Sequence, residues 1–169
     1  RLFNDVARVT GIMGAARIWQ ELGLYGEGQV VAVGDTGLDL GVNDSTLHDD
    51  LEGRVVALYD LTGFGAEDIC SGHGTHVAGS VLGSGQMSGS DPANHDYADS
   101  YAGIAPEAQL VFQAVEWPLL PPDLCLLVGI PQDLNDLFQQ AYDAGARIHT
   151  NSWGGDVNGE YTVQSQQTD

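Results

Sequence analysis

The 169-residue sequence predicts an α/β fold in three layers, a mainly parallel sheet with helices on both faces. Short, near-continuous apolar runs recur along the chain, and strands buried on both faces read this way. Helical patterns alternate with those runs, the arrangement expected when crossover helices cover a parallel sheet. The composition, 43% hydrophobic and 17% charged with 23 glycines, is that of a globular chain able to bury a core.

The elements follow in order. Met13 to Leu24 carries Met13, Ala16, Ile18, Trp19 and Leu22 near helical spacing and stops at Gly23. Gly26 and Gly28 bracket a turn into the apolar run Gln29–Gly34, which ends at Asp35-Thr36-Gly37 and so puts Asp35 at a strand's carboxyl end. Arg54–Tyr59 is a second strand, and His76–Leu82 a helix of small residues fit for burial. Residues 83–101 shift to Gly, Ser, Asp and Asn and predict a long surface loop. Ala108–Val115 is a third strand, followed by a loop through Pro118, Pro121 and Pro122. Asp133–Ala144 is an amphipathic helix with Leu134, Leu137, Phe138 and Ala141 on one face and Gly145 as its stop. Arg147–Asn151 is the last strand, running into Ser152-Trp153-Gly154. In open parallel sheets the site lies outside the strands' carboxyl ends, where Asp35 and Ser152 both fall.

Five arginines, no lysine and 24 acidic residues give a formal net charge of −19. Such a surface repels phosphate backbones and anionic lipid heads, so nucleic acid and membrane are excluded as expected partners. No apolar run approaches the roughly 20 residues needed to span a bilayer. The start, Arg1-Leu2-Phe3-Asn4-Asp5, lacks a signal-peptide pattern, so the protein is expected to be cytosolic or already processed.

Two segments carry chemistry. Asp35-Thr36-Gly37 alone is ambiguous: aspartic proteases also present a carboxylate this way, but need a second one sharing its proton. Ser71-Gly72-His73-Gly74-Thr75-His76-Val77-Ala78-Gly79 sets a His between glycines at a helix entry, accessible to a substrate. The positive end of a helix favours a neutral imidazole, which a general base must be before it acts. His73 and His76 share a helix face as metal ligands could, yet no HExxH, CxxC or acidic third ligand accompanies them. His76 is expected to pack within the helix.

Together, Asp35-Thr36-Gly37 and His73-Gly74-Thr75-His76-Val77-Ala78-Gly79 resemble the subtilisin-like serine proteases, the subtilases. Gly103-Ile104-Ala105-Pro106-Glu107-Ala108 and Asn151-Ser152-Trp153-Gly154 match the same family in the same order. Asn4-Asp5-Val6-Ala7-Arg8 and residues 145–154 resemble its oxidation-stable, high-alkaline bacterial branch. The resemblance implies a subtilisin-like sheet, incomplete without a C-terminal portion, with residues 1–169 the N-terminal portion of a catalytic domain. It implies that Asp35 accepts a hydrogen bond from His73, that His73 relays a proton for a serine nucleophile, and that Ser152, Trp153 and Gly154 pair with a substrate peptide, Trp153 lining an apolar pocket. It also implies structural calcium. The loop residues Asp91, Asn94, Asp96 and Asp99 offer oxygens at short spacing, but no EF-hand pattern, and the ligands stay unassigned.

The family's nucleophile motif, Gly-Thr-Ser-Met-Ala, does not occur, nor does the Asn-Gly segment that supplies its oxyanion donor. The expectation is therefore a nicked or truncated secreted serine endopeptidase, completed by a second chain bearing the serine, which acts on proteins or peptides. A non-catalytic peptide-binding pseudoprotease is the alternative. Cys70 and Cys125 are the only cysteines; an even count in a secreted protein favours a disulfide between them, two buried thiols being the other possibility.

Overall fold

A computed structural model describes residues 13–69, 71–119 and 124–169. Four parallel strands, β1 (Val30–Asp35), β2 (Val55–Asp60), β3 (Gln109–Ala114) and β6 (Ile148–Asn151), form a sheet in the order β2-β3-β1-β6. The helices are α1 (Ala15–Leu22), α2 (His73–Leu82), α3 (Leu134–Asp143) and α4 (Val163–Thr168). The mainly parallel α/β architecture is the one the sequence predicts.

The alternation of β1 and β3 sorts the core into two layers. Val31 and Val33 of β1, with Leu110 and Phe112 of β3, pack with Ala78 and Leu82 of α2. Ala32 and Val111 face the opposite way, onto Ala141 and Ala146 around α3. Both central strands are buried almost throughout, which is why they read as continuous apolar runs. Period two also decides where Asp35 points. Sharing a face with Val31 and Val33, it meets the α2 layer, and Gly34 meets the α3 layer.

Boundaries differ where caps decide them. α1 is shorter than the apolar pattern, held between left-handed Gly14 and Gly23. Only Ala15 and Trp19 of it are buried; Met13, Ile18 and Leu22 are exposed. α2 begins at His73 rather than His76, because left-handed Gly72 serves as its N-cap. Asp133 caps α3 by accepting from the Asn135 amide at 3.0 Å. The 83–101 loop contains two 3-10 turns, Gln86–Ser88 and Pro92–Asn94, and is anchored by Tyr97, buried against Trp19, Ala15 and Ala102.

One expectation is corrected, and one helix appears where the sequence pattern predicts no element. The proline-rich segment is not a plain loop: Glu116–Leu119 (β4) pairs antiparallel with Leu124–Leu127 (β5), Pro118 opposite Cys125. Each strand of a two-stranded ribbon has a free edge, so a residue lacking an N–H is tolerated there. The Gln-rich end is helical as α4, started by a reciprocal cap between Thr162 and Ser165. Gln167 ties α4 to the start of α3 through the Leu134 amide at 3.1 Å and Asp133 at 2.9 Å. Residues 4–8, Pro121, Pro122, Cys70 and the Cys125 side chain lie outside the described residues, and with them the expected disulfide.

Candidate active site

Asp35 is the last residue of β1, and His73 the first of α2. β3 fixes the strand end: Val115 and Glu116 donate their amides to the carbonyls of Asp35 and Thr36 at 2.9 and 3.2 Å. The turn that follows lies against the start of α2 at Gly74 and against the Glu67–Asp68 backbone at Gly37, and a glycine makes each approach possible. A Cβ on Gly74 would stand 2.4 Å from the Gly37 carbonyl oxygen, and one on Gly37 would stand 2.4 Å from the Glu67 carbonyl oxygen. Only hydrogen fits at either position.

This packing brings two side chains 38 residues apart into contact. His73 Nδ1 lies 2.6 Å from Asp35 Oδ1. The carboxylate is buried, at 3% exposure, whereas the imidazole is 48% exposed. Asp35 Oδ1 also accepts the Thr36 amide at 2.8 Å, while Oδ2 has no hydrogen-bond partner among the described residues. A carboxylate can only accept. In its neutral form the ring therefore carries its proton on Nδ1, leaving Nε2 as the nitrogen that can accept one. A buried acid behind and an open imine nitrogen in front can orient a proton acceptor and stabilise it once charged.

The remaining predicted residues are placed as follows. β6 lies beside β1 with Asn151 opposite Gly34. Ser152, Trp153 and Gly154 continue past its end outside regular strand, Ser152 and Gly154 exposed. The Trp153 indole N–H donates to the Gly34 carbonyl at 2.8 Å, which holds it one residue from Asp35. His76 is exposed rather than packed, since its position on α2 turns away from the sheet. In the acidic loop the Asn94 amide donates to Asp91 at 2.7 Å, and no group of three or more His, Cys, Asp or Glu among the described residues is placed to hold a metal ion.

Sequence reasoning missed two polar clusters. His149 and Gln113, on the α3 side of the sheet, meet at 2.8 Å. Thr36, Asp68 and Thr75 form the other, next to Asp35 and His73 in the chain through the two threonines. Thr36 and Thr75 sit within the recognised motifs, but nothing in the local sequence distinguishes Asp68.

Known proteins share this fold. Residues 26–169 match the profile of the subtilase family. A serine protease/ABC transporter B family protein, tagB, of Dictyostelium discoideum is 32% identical over 143 residues, 79% of this chain and 7% of that protein. Fervidolysin of Fervidobacterium pennivorans is 30% identical over 165 residues, 91% of this chain and 20% of fervidolysin. Its crystal structure, that of a keratinolytic enzyme related to subtilisin, superposes with a TM-score of 0.59 at 26% identity, covering 89% of this chain and 20% of that one. The CspB protease of Clostridium perfringens has the same fold, with a TM-score of 0.58 at 21% identity over 90% of this chain and 34% of that one. The chain thus spans 7% of one curated relative and 20% of another. Fold, motif order and family profile agree: the chain belongs to the subtilase family of serine proteases.

Proposed function

We propose that this chain carries the acid–base half of a secreted serine endopeptidase, with the nucleophilic serine on polypeptide outside these 169 residues. The contact between Asp35 and His73, with Nε2 left open, supports the reading most strongly. In that scheme Nε2 takes the proton of the serine hydroxyl as its oxygen bonds to the peptide carbonyl carbon. The imidazolium is stabilised by Asp35, then gives that proton to the leaving amine as the C–N bond breaks. Water repeats the cycle on the acyl-enzyme. Ser152-Trp153-Gly154, beside the strand end, is suited to align an extended substrate through main-chain bonds. A protein that only bound peptides would need neither the buried acid nor the open base.

The finer assignment is to the oxidation-stable, high-alkaline branch, supported by the resemblance at residues 4–8 and 145–154. A Cys70–Cys125 disulfide belongs to the same proposal. No calcium ligands are assigned.

Replacing His73 by Ala in the full-length protein should reduce peptide turnover to background, on the order of a 10⁴-fold loss or more, and leave peptide binding measurable. Undiminished turnover in that variant would sink the assignment. A fluorophosphonate probe, with intact masses of every co-purifying chain, should locate the labelled serine on sequence other than residues 1–169. Label on this chain would refute a nucleophile supplied from outside it.

A further inference from the structure

Each member of the acid–base pair has a threonine close by in sequence: Thr36 follows Asp35, and Thr75 stands two residues past His73. The Thr36 hydroxyl accepts the Gly74 amide at 2.8 Å, and the Thr75 hydroxyl accepts the Asp39 amide at 2.8 Å. Each hydroxyl has one proton to donate. Both donate it to Asp68, Thr36 to Oδ1 at 2.9 Å and Thr75 to Oδ2 at 2.7 Å. The Thr75 amide adds a third donor to Oδ2 at 2.9 Å. A chain of bonds thus runs from Gly74 through Thr36 to one carboxylate oxygen, and from Asp39 through Thr75 to the other. Asp68 is itself held, its amide donating to the Asp39 carbonyl at 3.0 Å.

We propose that Asp68 is a positioning residue, a carboxylate clamp joining the turn after Asp35 to the helix start that bears His73. The proposal rests on the reading of those two residues as the acid–base pair. Asp68 bonds neither of them among the described residues; it acts through the two threonines. All three donors point at it, so the site calls for a group that accepts on both oxygens. An asparagine offers one accepting oxygen and turns an N–H₂ toward a hydroxyl that also needs to donate. The clamp matters because the two reacting groups sit on separate elements, and the bond between them is otherwise one hydrogen bond between a buried side chain and a half-exposed one.

The test uses the full-length protein and compares the native enzyme with Asp68→Ala, Asp68→Asn and His73→Ala, by steady-state hydrolysis of a fluorogenic peptide and by thermal melting. Asp68→Ala should lower kcat about 10²-fold, the cost of displacing a catalytic group by roughly 1 Å, with KM unchanged. Asp68→Asn should fall between it and the native enzyme. A folded Asp68→Ala protein with native kcat, or one changed only in KM, overturns the clamp. If that variant does not fold, Asp68→Asn decides: lowered kcat at constant KM supports the clamp, and native kcat overturns it. A second readout is independent of turnover. The hydrogen-bonded Nδ1 proton of His73 should give a low-field NMR resonance in the native protein and lose it to exchange on Asp68 replacement; an unchanged resonance overturns the clamp. If His73→Ala keeps native turnover while that resonance still depends on Asp68, the acid–base reading fails and the clamp stands.

Discussion

His149 on β6 sits behind the sheet, away from Asp35 and His73. Its Nε2 donates to Gln113 Oε1 at 2.8 Å, and the Gln113 amide in turn donates to the Leu137 carbonyl at 2.9 Å and to Gln140 Oε1 at 2.7 Å. Phe138 meets the imidazole edge-on at 5.0 Å between centroids. Burial holds the ring neutral, lowering its pKa to about 4. In the unfolded chain the same ring takes a proton near pH 6.5. Between those values the unfolded state binds more protons than the folded one, so stability falls as pH falls through that window. The urea midpoint should accordingly drop between pH 7 and pH 4, and His149→Gln, which keeps a donor for Gln113 but cannot titrate, should flatten that part of the curve. An equally steep curve in the variant would place the acid sensitivity elsewhere. This cluster was invisible in sequence because neither Gln113, inside an apolar run, nor His149, on a largely polar strand, carries any local mark of the other.

The start of α2 is where an element's packing decides the site. Gly74 lets the first turn of the helix rest on the turn after β1, with the Phe112 ring tip 2.9 Å from where a Cβ would lie. Neither the Gly37 backbone nor that ring can yield without moving β1 or β3. Gly74→Ala should therefore cost about 1–3 kcal/mol by overpacking and lower kcat as His73 shifts. A lowered denaturation midpoint together with reduced turnover is the expected result, and a variant matching the parent in both would show the contact to be soft. At this scale the sequence was legible where periodicity exists. β1, β3 and α3 emerge from their apolar patterns, and the limits of α3 agree with Asp133 and Gly145 to within a residue. The β4–β5 ribbon and α4 did not emerge. Prolines suppress a strand reading, and a six-residue polar helix has no apolar stripe.

Over the whole molecule the formal charge of −19 makes self-repulsion a standing cost of compactness. Few cations offset it, and those described are already engaged. Arg54 donates to the carbonyls of Pro106 and Ala108, Arg17 pairs with Glu21, and Arg147 lies 3.9 Å over the Tyr142 ring. Salt shortens the Debye length from about 30 Å at 0.01 M to about 3 Å at 1 M. Raising sodium chloride across that range should stabilise the protein by about 1 kcal/mol, a rise in melting temperature of roughly 2–4 °C. A fall on adding salt would mean that attractive pairs outweigh the repulsion.

Sequence by itself determined the parallel α/β sheet and the two motifs that end β1 and open α2. Doubly buried strands must be apolar along their length, and close backbone approaches must be glycine, so both constraints are written locally. Tertiary structure alone decided that Asp68 joins the flanks of Asp35 and His73 through two threonines, and that His149 is held neutral behind them; it also put at 2.6 Å the contact between carboxylate and ring that the family resemblance implies. Each of these depends on distances between segments far apart in the chain. A polar side chain carries no local mark of the partner that folding will bring within 3 Å of it.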